Sequence, residues 1–546
     1  MNSTQSHIKN LAKLKSIRAP QENQWRDAYR YAAPQRQQFQ NKEQKEDEYR
    51  NLYDTTLLEA TQLLTSSLQS GTVPANSPWF KMTLGNDDVT SVDASDRWLD
   101  GVSKELFKRI HATNFDSEIV DYLTDLVTVG WSSLYISMDE KTKKLNFKCW
   151  PISNVYLDSY NEHDTIDVVY REYELTGEQL INTYESTPES VKKANLSTKY
   201  KLIHVICPNK QYKKAKVNLK MNMPFKSQII LVKEAFVLED SGYNSFPVIV
   251  ARFNKNHNNL YATGQVSQVL EDAKIVNKMN KLFLNNAELA LGGVWLAKND
   301  GVLNVNNIKL RPRTIIPANS MDDLKRIDVG GNMNLSVELV TMYQNRIRRG
   351  MMSDQLTPLN SSPLSATEVS ARVNIIRNQL ANIFTRMQTE MLNGILERVF
   401  DLLMRNQLIP PPPKELVDNN NELNFAFTNP LAQSSKLEGL TNLGNFLTSV
   451  IPLTQIKPEL LDVLDLDKIT YFMQDSLAVS PTLLKSVEEL QEIREAQQAA
   501  QAQAATIEQE SLASQQVSQD QQLEAQQQQI DAQQQQLEQP LAQEGF

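Results

Sequence analysis

The sequence predicts an α+β protein built of several modules. Three observations predict it. Strand-like segments crowd between Leu134 and Phe253. Helical periodicity dominates on both sides of them. One helix, from Ser365 to Leu403, is far longer than an ordinary domain supplies, since helices in globular proteins average about 11–12 residues. A chain of 546 residues has room for several hydrophobic cores.

Taken in order, residues 1–70 read as helical, with Trp25, Tyr29 and Tyr31 set among many Gln, Arg and Glu residues. A second apolar stripe runs from Leu57 to Leu68, and Gly71 to Pro78 breaks it. Residues 93–127 are helical again, with Trp98, Val102, Leu106 and Ile110 at spacings of four. Then come strands: LYISM, a charged turn from Glu140 to Lys143, LNFKCW, TIDVVYREY, KLIHVI, IILVKEAFVL and PVIVARF. Alternation along them is partial, which predicts half-buried strands.

Gln265 to Ala290 reads as a helix whose seam carries Val266, Val269, Ala273, Val276, Asn280, Phe283, Ala287 and Ala290. Small residues in a heptad-like seam permit close helix approach, so the seam predicts a neighbouring helix, in an oligomer that of another copy. A short β-rich insert follows: VWLA (294–297), a turn at Asn299-Asp300-Gly301, VLNV (302–305) and RTIIP (313–317). Ser336 to Arg349 returns as a helix and closes on Arg346, Arg348, Arg349 and Gly350. Cations and a C′ glycine are what a helix C-terminus favours. Met351 to Leu364 is a loop of about fifteen residues, a length that is usually functional or disordered. The long helix then starts at a capping box, Ser365 and Glu368. It carries Val369, Val373, Ile376, Leu380, Ile383, Met387 and Met391 on one face and stops before Pro410 to Pro413. Residues 415–490 read as short helices at 437–451, 458–464 and 480–493. After them comes a Gln/Ala-rich tail in which Leu523, Ile530 and Leu537 sit seven apart. One apolar residue per heptad is too few for a monomeric coiled coil, so helix and disorder both stay open there.

Composition excludes several classes. No stretch approaches the roughly 20 apolar residues of a membrane span. The N-terminus lacks the apolar core of a secretory signal. Two cysteines, Cys149 and Cys207, offer no disulfide framework, which fits a protein made in a reducing cytosol. A net charge of −9 argues against gripping nucleic acid over the whole surface, but is compatible with an acidic wall along which DNA slides. No glycine is followed by lysine, so there is no Walker A phosphate loop, and there is no G-x-G-x-x-G. The five histidines fall in unrelated segments, without metal-ligand spacing. His204 beside Val205 and Cys207 reads as a packed core residue, and a catalytic Cys207 is the weaker alternative. Asp462, Asp465 and Asp467 read as helix caps rather than metal ligands. The expectation is no catalytic site, no cofactor and no metal.

Several segments together resemble one known family. They are RAPQENQWRDAYRYAAP (18–34), LTSSLQSGTVPANSPWFKM (64–82), TVGWSSLYISMDE (128–140), YREYELTGEQL (170–180), residues 246–282, ATEVSAR (366–372) and VSPTLLKSVEELQEIR (479–494). In this order they are similar to the portal, or head-to-tail connector, proteins of T7-like short-tailed bacteriophages. Tyr261-Ala262-Thr263-Gly264 departs from the YGxG-like turn more common there.

The resemblance implies a multi-domain portal fold: a wing (1–261 and 365–429), a stem of two helices (262–291 and 336–350), a clip (292–335), a tunnel loop (351–364), a crown (430–490) and the Gln-rich tail (491–546). It also implies a homo-oligomeric ring, usually of twelve copies, at the portal vertex of the virion, after assembly in the host cytoplasm. Its partners would be the major capsid protein, the terminase during packaging, the tail adaptor and tail proteins, internal core proteins at the crown, and double-stranded DNA read without sequence specificity. No membrane is implied. Arg346, Arg348, Arg349, Ser353 and Asn360 would then lie at the DNA channel, and Trp295, Lys309, Arg311 and Arg313 on the docking face of the clip. The oligomer seam would be Val266, Val269, Ala273, Val276, Phe283 and Ala287. Two other readings remain at this level: a cytosolic scaffold that oligomerises through the Gln-rich tail, and a metal-dependent nuclease using scattered carboxylates.

Overall fold

The computed structural model describes residues 3–36, 39, 51–84, 93–161, 165–212, 222–257, 259–292, 294–297, 324–327, 333–353, 383–413, 423–454, 464–465, 468–470, 472–473 and 487–537. It is mixed helix and sheet and divides into two units, Met1–Leu461 and Asp462–Phe546. No helix among the described residues is long and apolar enough to cross a membrane.

The first unit begins with α1 (Ser3–Ala32) and α2 (Thr56–Thr72), then β1 (Phe80–Leu84), α3 (Asp93–His111) and α4 (Phe115–Val129). The periodicity predicted a single helical region over 93–127. The structure breaks it between His111 and Phe115 and sets α4 in the core, with Ile119, Tyr122, Leu123 and Leu126 fully buried. β2 (Trp131–Met138), β3 (Leu145–Cys149), β4 (Val155–Asp158) and β5 (Val168–Thr176) follow. Next come the short helices α5 (Gly177–Thr183) and α6 (Glu189–Lys192), then β6 (Lys199–Pro208), β7 (Phe225–Leu231), β8 (Phe236–Tyr243) and β9 (Val248–Arg252). β3-β2-β9 form one antiparallel sheet and β4-β5-β6-β7-β8 another.

Most strands fall where the pattern predicts, with two departures. IILVKEAFVL is not one strand but the end of β7, a turn, and the start of β8, with Ala235 at φ 50. Both flanks are apolar, and the charged pair Lys233-Glu234 marks the turn. β9 is buried along its whole length rather than half-buried. One of its neighbours is the π-helical turn Gln388–Leu392, whose Glu390 receives Arg252 Nη2 at 2.6 Å and the Arg252 backbone N–H at 2.9 Å. That turn also corrects the expectation of one regular long helix. Ile383, Met387 and Met391 are buried as the spacing predicts. The π turn then re-phases the helix before α9, and Gly394 comes against Ile249. The capping box Ser365–Glu368 lies outside the described residues.

Buried polar groups tie the helices to the sheets. Arg18 of α1 is 1% exposed. It donates to the carbonyls of Ile152, Val155 and Ser153 at 3.0, 2.6 and 2.9 Å and stacks 3.8 Å from the Tyr156 ring. Asp125 of α4 accepts from Tyr29 at 2.7 Å and from Arg36 Nε at 3.0 Å. Burial pushes the Asp125 carboxyl up, and the Arg36 guanidinium opposes that. Such pairs are costly to break, because the partner left behind is a desolvated charge.

His204 on β6 is buried, as expected, and its Nε2 lies 2.9 Å from Ser227 Oγ. Burial, reinforced by Arg171, pushes its pKa down to about 3 from 6.5. Between these values the unfolded chain binds the proton and the folded chain does not, so stability is full above pH 6.5 and falls as pH drops toward 3. The expected slope is about 1.4 kcal/mol per pH unit. Denaturant melts of wild type and His204→Gln across this window check it: the variant should lose less stability on acidification.

Beyond β9, the strand pair β10 (Asn254–Lys255) and β11 (Ala262–Thr263) leads into α7 (Val266–Gly292). β12 (Val294–Ala297), β13 (Leu324–Ile327), α8 (Met333–Gly350), α9 (Asn393–Arg405), β14 (Leu423–Phe427) and α10 (Pro430–Thr454) complete the unit. β1 pairs with β14, Phe80 opposite Phe427, a contact no local pattern announces. Trp98 Nε1 donates to the Pro410 carbonyl at 3.1 Å, so the polyproline run meets α3. α10 is one helix containing the predicted 437–451 segment.

In the second unit, Asp465 caps a short turn by accepting the Lys468 N–H at 3.0 Å, as its spacing predicts. α11 (Val487–Leu537) carries the Gln-rich tail as a helix of 51 residues. Gln and Ala have high helix propensity, and nothing in that run breaks it.

Candidate functional site

The site of interest is the helix pair α7–α8. It starts at a point where two backbones touch. Gly130 ends α4 in the left-handed conformation, φ 97, and its N–H bonds to the Leu126 carbonyl at 3.0 Å. A Cβ there would lie 2.3 Å from the Thr263 carbonyl carbon. A Cβ on Gly264 would lie 2.6 Å from the Val127 oxygen and 2.7 Å from the Gly130 nitrogen. The rings of Trp25, Trp131 and Tyr261 close over this corner, with centroids 5.2–5.8 Å apart. So the Tyr261–Gly264 turn needs its final glycine because no side chain fits, and it sets where α7 leaves the core.

α7 and α8 run antiparallel. Gln265 Nε2 donates to the Gly350 carbonyl at 2.6 Å, and Arg346 pairs with Asp272 at 3.2 Å. A Cβ on Gly350 would meet Val269 Cγ1 at 2.3 Å. Gly350 therefore serves close packing and is not the left-handed C′ residue that the helix end predicts. Met352, at φ 59, takes that conformation, and Ser353 Oγ donates to the Arg348 carbonyl at 3.1 Å. Ser353 is buried and caps the helix rather than reaching out from a loop.

The predicted seam is corrected in part. Val266, Val269, Ala273 and Val276 are 0–4% exposed and belong to the chain's own core. Their partners are α1, α2, α4 and α8 of the same chain, so they are not available to another copy. Phe283 and Ala287 are half-buried. Asn280, the polar intruder in the seam, has a partner that sequence reasoning missed: its Nδ2 lies 3.3 Å from Asp54 Oδ2. Asp54 also accepts from Gln344 of α8 at 2.7 Å and from the Thr56 N–H at 3.0 Å. Asn277 holds the Tyr53 N–H at 2.6 Å. One carboxylate thus braces both helices and the start of α2. An Asn in an apolar seam was the available signal.

Large apolar side chains stand among the polar residues that face outward. Leu282, Leu284 and Val337 are 51%, 52% and 54% exposed, and Ile275, Leu339 and Met342 are exposed beside them. Six large hydrophobes on one helix pair are more than scattered surface residues. At the other end of α8, Arg348 and Arg349 are exposed and make no ion pair among the described residues. Arg346 is half-neutralised by Asp272 and lies 5.2 Å over the Tyr343 ring.

β12 and β13 pair antiparallel, Trp295 opposite Arg326, at the far end of the helix pair. VWLA is a strand as expected, and its described partner is 324–327, a segment without a strong strand pattern. Asn360, Lys309, Arg311, Arg313 and the predicted strands 302–305 and 313–317 lie outside the described residues. No three His, Cys, Asp or Glu side chains gather as a metal-binding group among the described residues. Cys207 is buried, and burial pushes its thiol up, away from reactivity.

Comparison with known proteins places the chain among phage proteins. The chain is 26% identical over 515 residues to a portal protein of Salmonella phage epsilon15, covering 89% of each chain. It is 23% identical over 492 residues to a probable portal protein of Bordetella phage BPP-1, covering 86% of this chain and 87% of the relative. The family described as bacteriophage head to tail connecting protein matches residues 4–484. With that match over nearly the whole length, the chain belongs to the bacteriophage head-to-tail connecting (portal) protein family.

Proposed function

We propose that twelve copies of the chain close into a ring at one vertex of the capsid, and that DNA enters and leaves through its centre. α7 and α8 are the stem, the β12–β13 insert the clip, and the two sheets with α1–α4 and α9 the wing. The residues from 430 to 490 are the crown. The capsid protein meets the wing. The terminase and later the tail adaptor dock on the clip, through a face that includes Trp295, Lys309, Arg311 and Arg313. The carrying observation is the exposed apolar surface of α7–α8, which a monomer leaves in water and a neighbouring copy would cover. Ile275 and Leu282 are seven apart and share one face of α7, so the proposed contact is this outward stripe and not the buried seam. Negative-stain microscopy tests it: the expected image is a ring with a central hole. A compact monomer would exclude the ring.

The same proposal assigns the 351–364 loop to the channel. Its first residues leave the end of α8 beside Arg348 and Arg349. Contacts from these two side chains to phosphates would be sequence-independent. Alanine at both should leave rings intact and reduce the slope of log affinity against log salt by about 0.9 per lost phosphate contact. Filter binding of duplex DNA to purified rings across a salt series measures this. An unchanged slope would remove the arginines from the channel.

A further inference from the structure

The YREYELTGEQL segment builds a polar surface on the five-stranded sheet. It supplies β5, and then a capping box, Thr176 and Gln179, that starts α5. The face of the five-stranded sheet that carries Arg171 changes character along β5. At one end Val169 and Ile206 join the main core. At the other, Leu202 and Leu231 join a small separate cluster under α5 and α6 with Leu180 and Val191. Between the two clusters the sheet carries Arg171 opposite His204, with Tyr173 next on the same face.

Arg171 is held, but no ion pair engages it among the described residues. Its guanidinium lies 4.7 Å from the Trp150 ring centroid and 4.7 Å from that of Tyr173. Its Nε is buried with no acceptor. The guanidinium makes no hydrogen bond or ion pair with any described residue. Glu239, on the same sheet, is exposed and does not reach it. Burial lowers the Arg171 pKa, and only tyrosines oppose the shift. A half-buried cation gains from an anion beside it. A guanidinium stacked between two rings also keeps its planar edge free for a two-pronged contact with a carboxylate.

The surroundings complete a receptor. Tyr173 and Tyr184 share one hydrogen bond at 3.1 Å, and Tyr135 and Tyr243 share another at 3.0 Å. In each pair one hydroxyl donates to the other, which leaves one O–H per pair to give away. All four rings are half-buried. His204 is engaged by Ser227 and stays neutral. Arg398 is already used by Ser245 at 2.6 Å and lies 3.8 Å from Asp401.

We propose that this patch docks an acidic segment of a partner protein, with Arg171 taking a carboxylate and the free tyrosine hydroxyls its flanking oxygens. A phosphate backbone fits less well, because one unspent cation is too few to hold it. A bare inorganic anion would leave the four tyrosine rings unused.

The test titrates the full-length chain calorimetrically with a short polyglutamate peptide. Polyglutamine, inorganic phosphate and a single-stranded oligonucleotide serve as comparators. Polyglutamate should bind and the three comparators should not. Arg171→Met, which keeps the bulk of the side chain, should weaken binding about tenfold or more, and Arg171→Lys, which keeps the charge but not the fork, should weaken it less. Should Arg171→Met not fold, peptide-dependent hydrogen-exchange protection of residues 168–184 in the unaltered chain decides the matter. Full-strength binding by Arg171→Met would overturn the proposal. So would polyglutamine, phosphate or the oligonucleotide binding as well as polyglutamate, or no protection over 168–184.

Discussion

Ile275→Asp combined with Leu282→Asp should disperse the proposed ring into subunits that melt as the wild-type monomer does. Both side chains are exposed in the single chain, 39% and 51%, so each carboxylate can reach water before assembly. In the assembled ring each would replace an apolar contact worth about 1.5–3 kcal/mol and put an unpaired charge into an interface. The loss recurs at every interface of a closed ring, so even a modest cost per contact should abolish the assembly. Sedimentation velocity reports the size, and a thermal melt reports the fold. Val276→Asp is the counterpart: that residue is fully buried in its own chain, so the same charge should lower the melting temperature of the monomer itself. Persistence of intact rings in the double variant would place the subunit contact elsewhere. Ala287→Glu falls between the two, because Ala287 is half-buried.

The second large effect is expected at the corner that launches α7. Gly130→Ala places an L-residue at φ 97, which costs about 1–2 kcal/mol. It also drives a Cβ to 2.3 Å from the Thr263 backbone, where overpacking adds about 1–3 kcal/mol. Gly264→Ala meets three backbone atoms at 2.6–2.7 Å and cannot be relieved by rotating a side chain. Either variant should lower the melting temperature strongly or prevent folding. Gly101→Ala is the control: nothing lies within 4 Å of a Cβ there, and the residue is in a helix. Alanine at 101 should be neutral or stabilising by up to about 1 kcal/mol. Equal melts for all three variants would show that the close approach does not limit α7.

Much of the fold was legible because it is written in short-range patterns. β2, β3, β5, β6 and β9 follow runs of β-branched and aromatic residues, and α7 and α8 follow apolar spacings of three and four. The family was legible too, from seven segments in fixed order. The candidate site was legible only in outline. The spacing in α7 showed that Val266, Val269, Ala273 and Val276 need an apolar neighbour, but spacing does not say whose. The chain's own helices answer that, and a sequence cannot rank an intramolecular neighbour against a second copy. The outward stripe was missed for the same reason: Leu282 and Leu284 read as core residues in any hydropathy pattern, and only burial shows that the core ends before them.

By itself the sequence determined the elements with a local cause: most helices, most strands and the absence of a nucleotide loop. Tertiary structure alone decided the rest. It paired Phe80 with Phe427, and it turned IILVKEAFVL into a hairpin. It gave the left-handed position at the end of α8 to Met352, because Gly350 was needed where Val269 leaves no room for a Cβ. It stacked Arg171 between two clusters of the same sheet, with no ion pair among the described residues. Each of these depends on which surfaces meet across hundreds of residues. Secondary-structure periodicity is fixed by interactions within a few residues. A glycine's necessity, a seam's partner or an arginine's missing anion is fixed by packing between segments whose proximity no local pattern encodes.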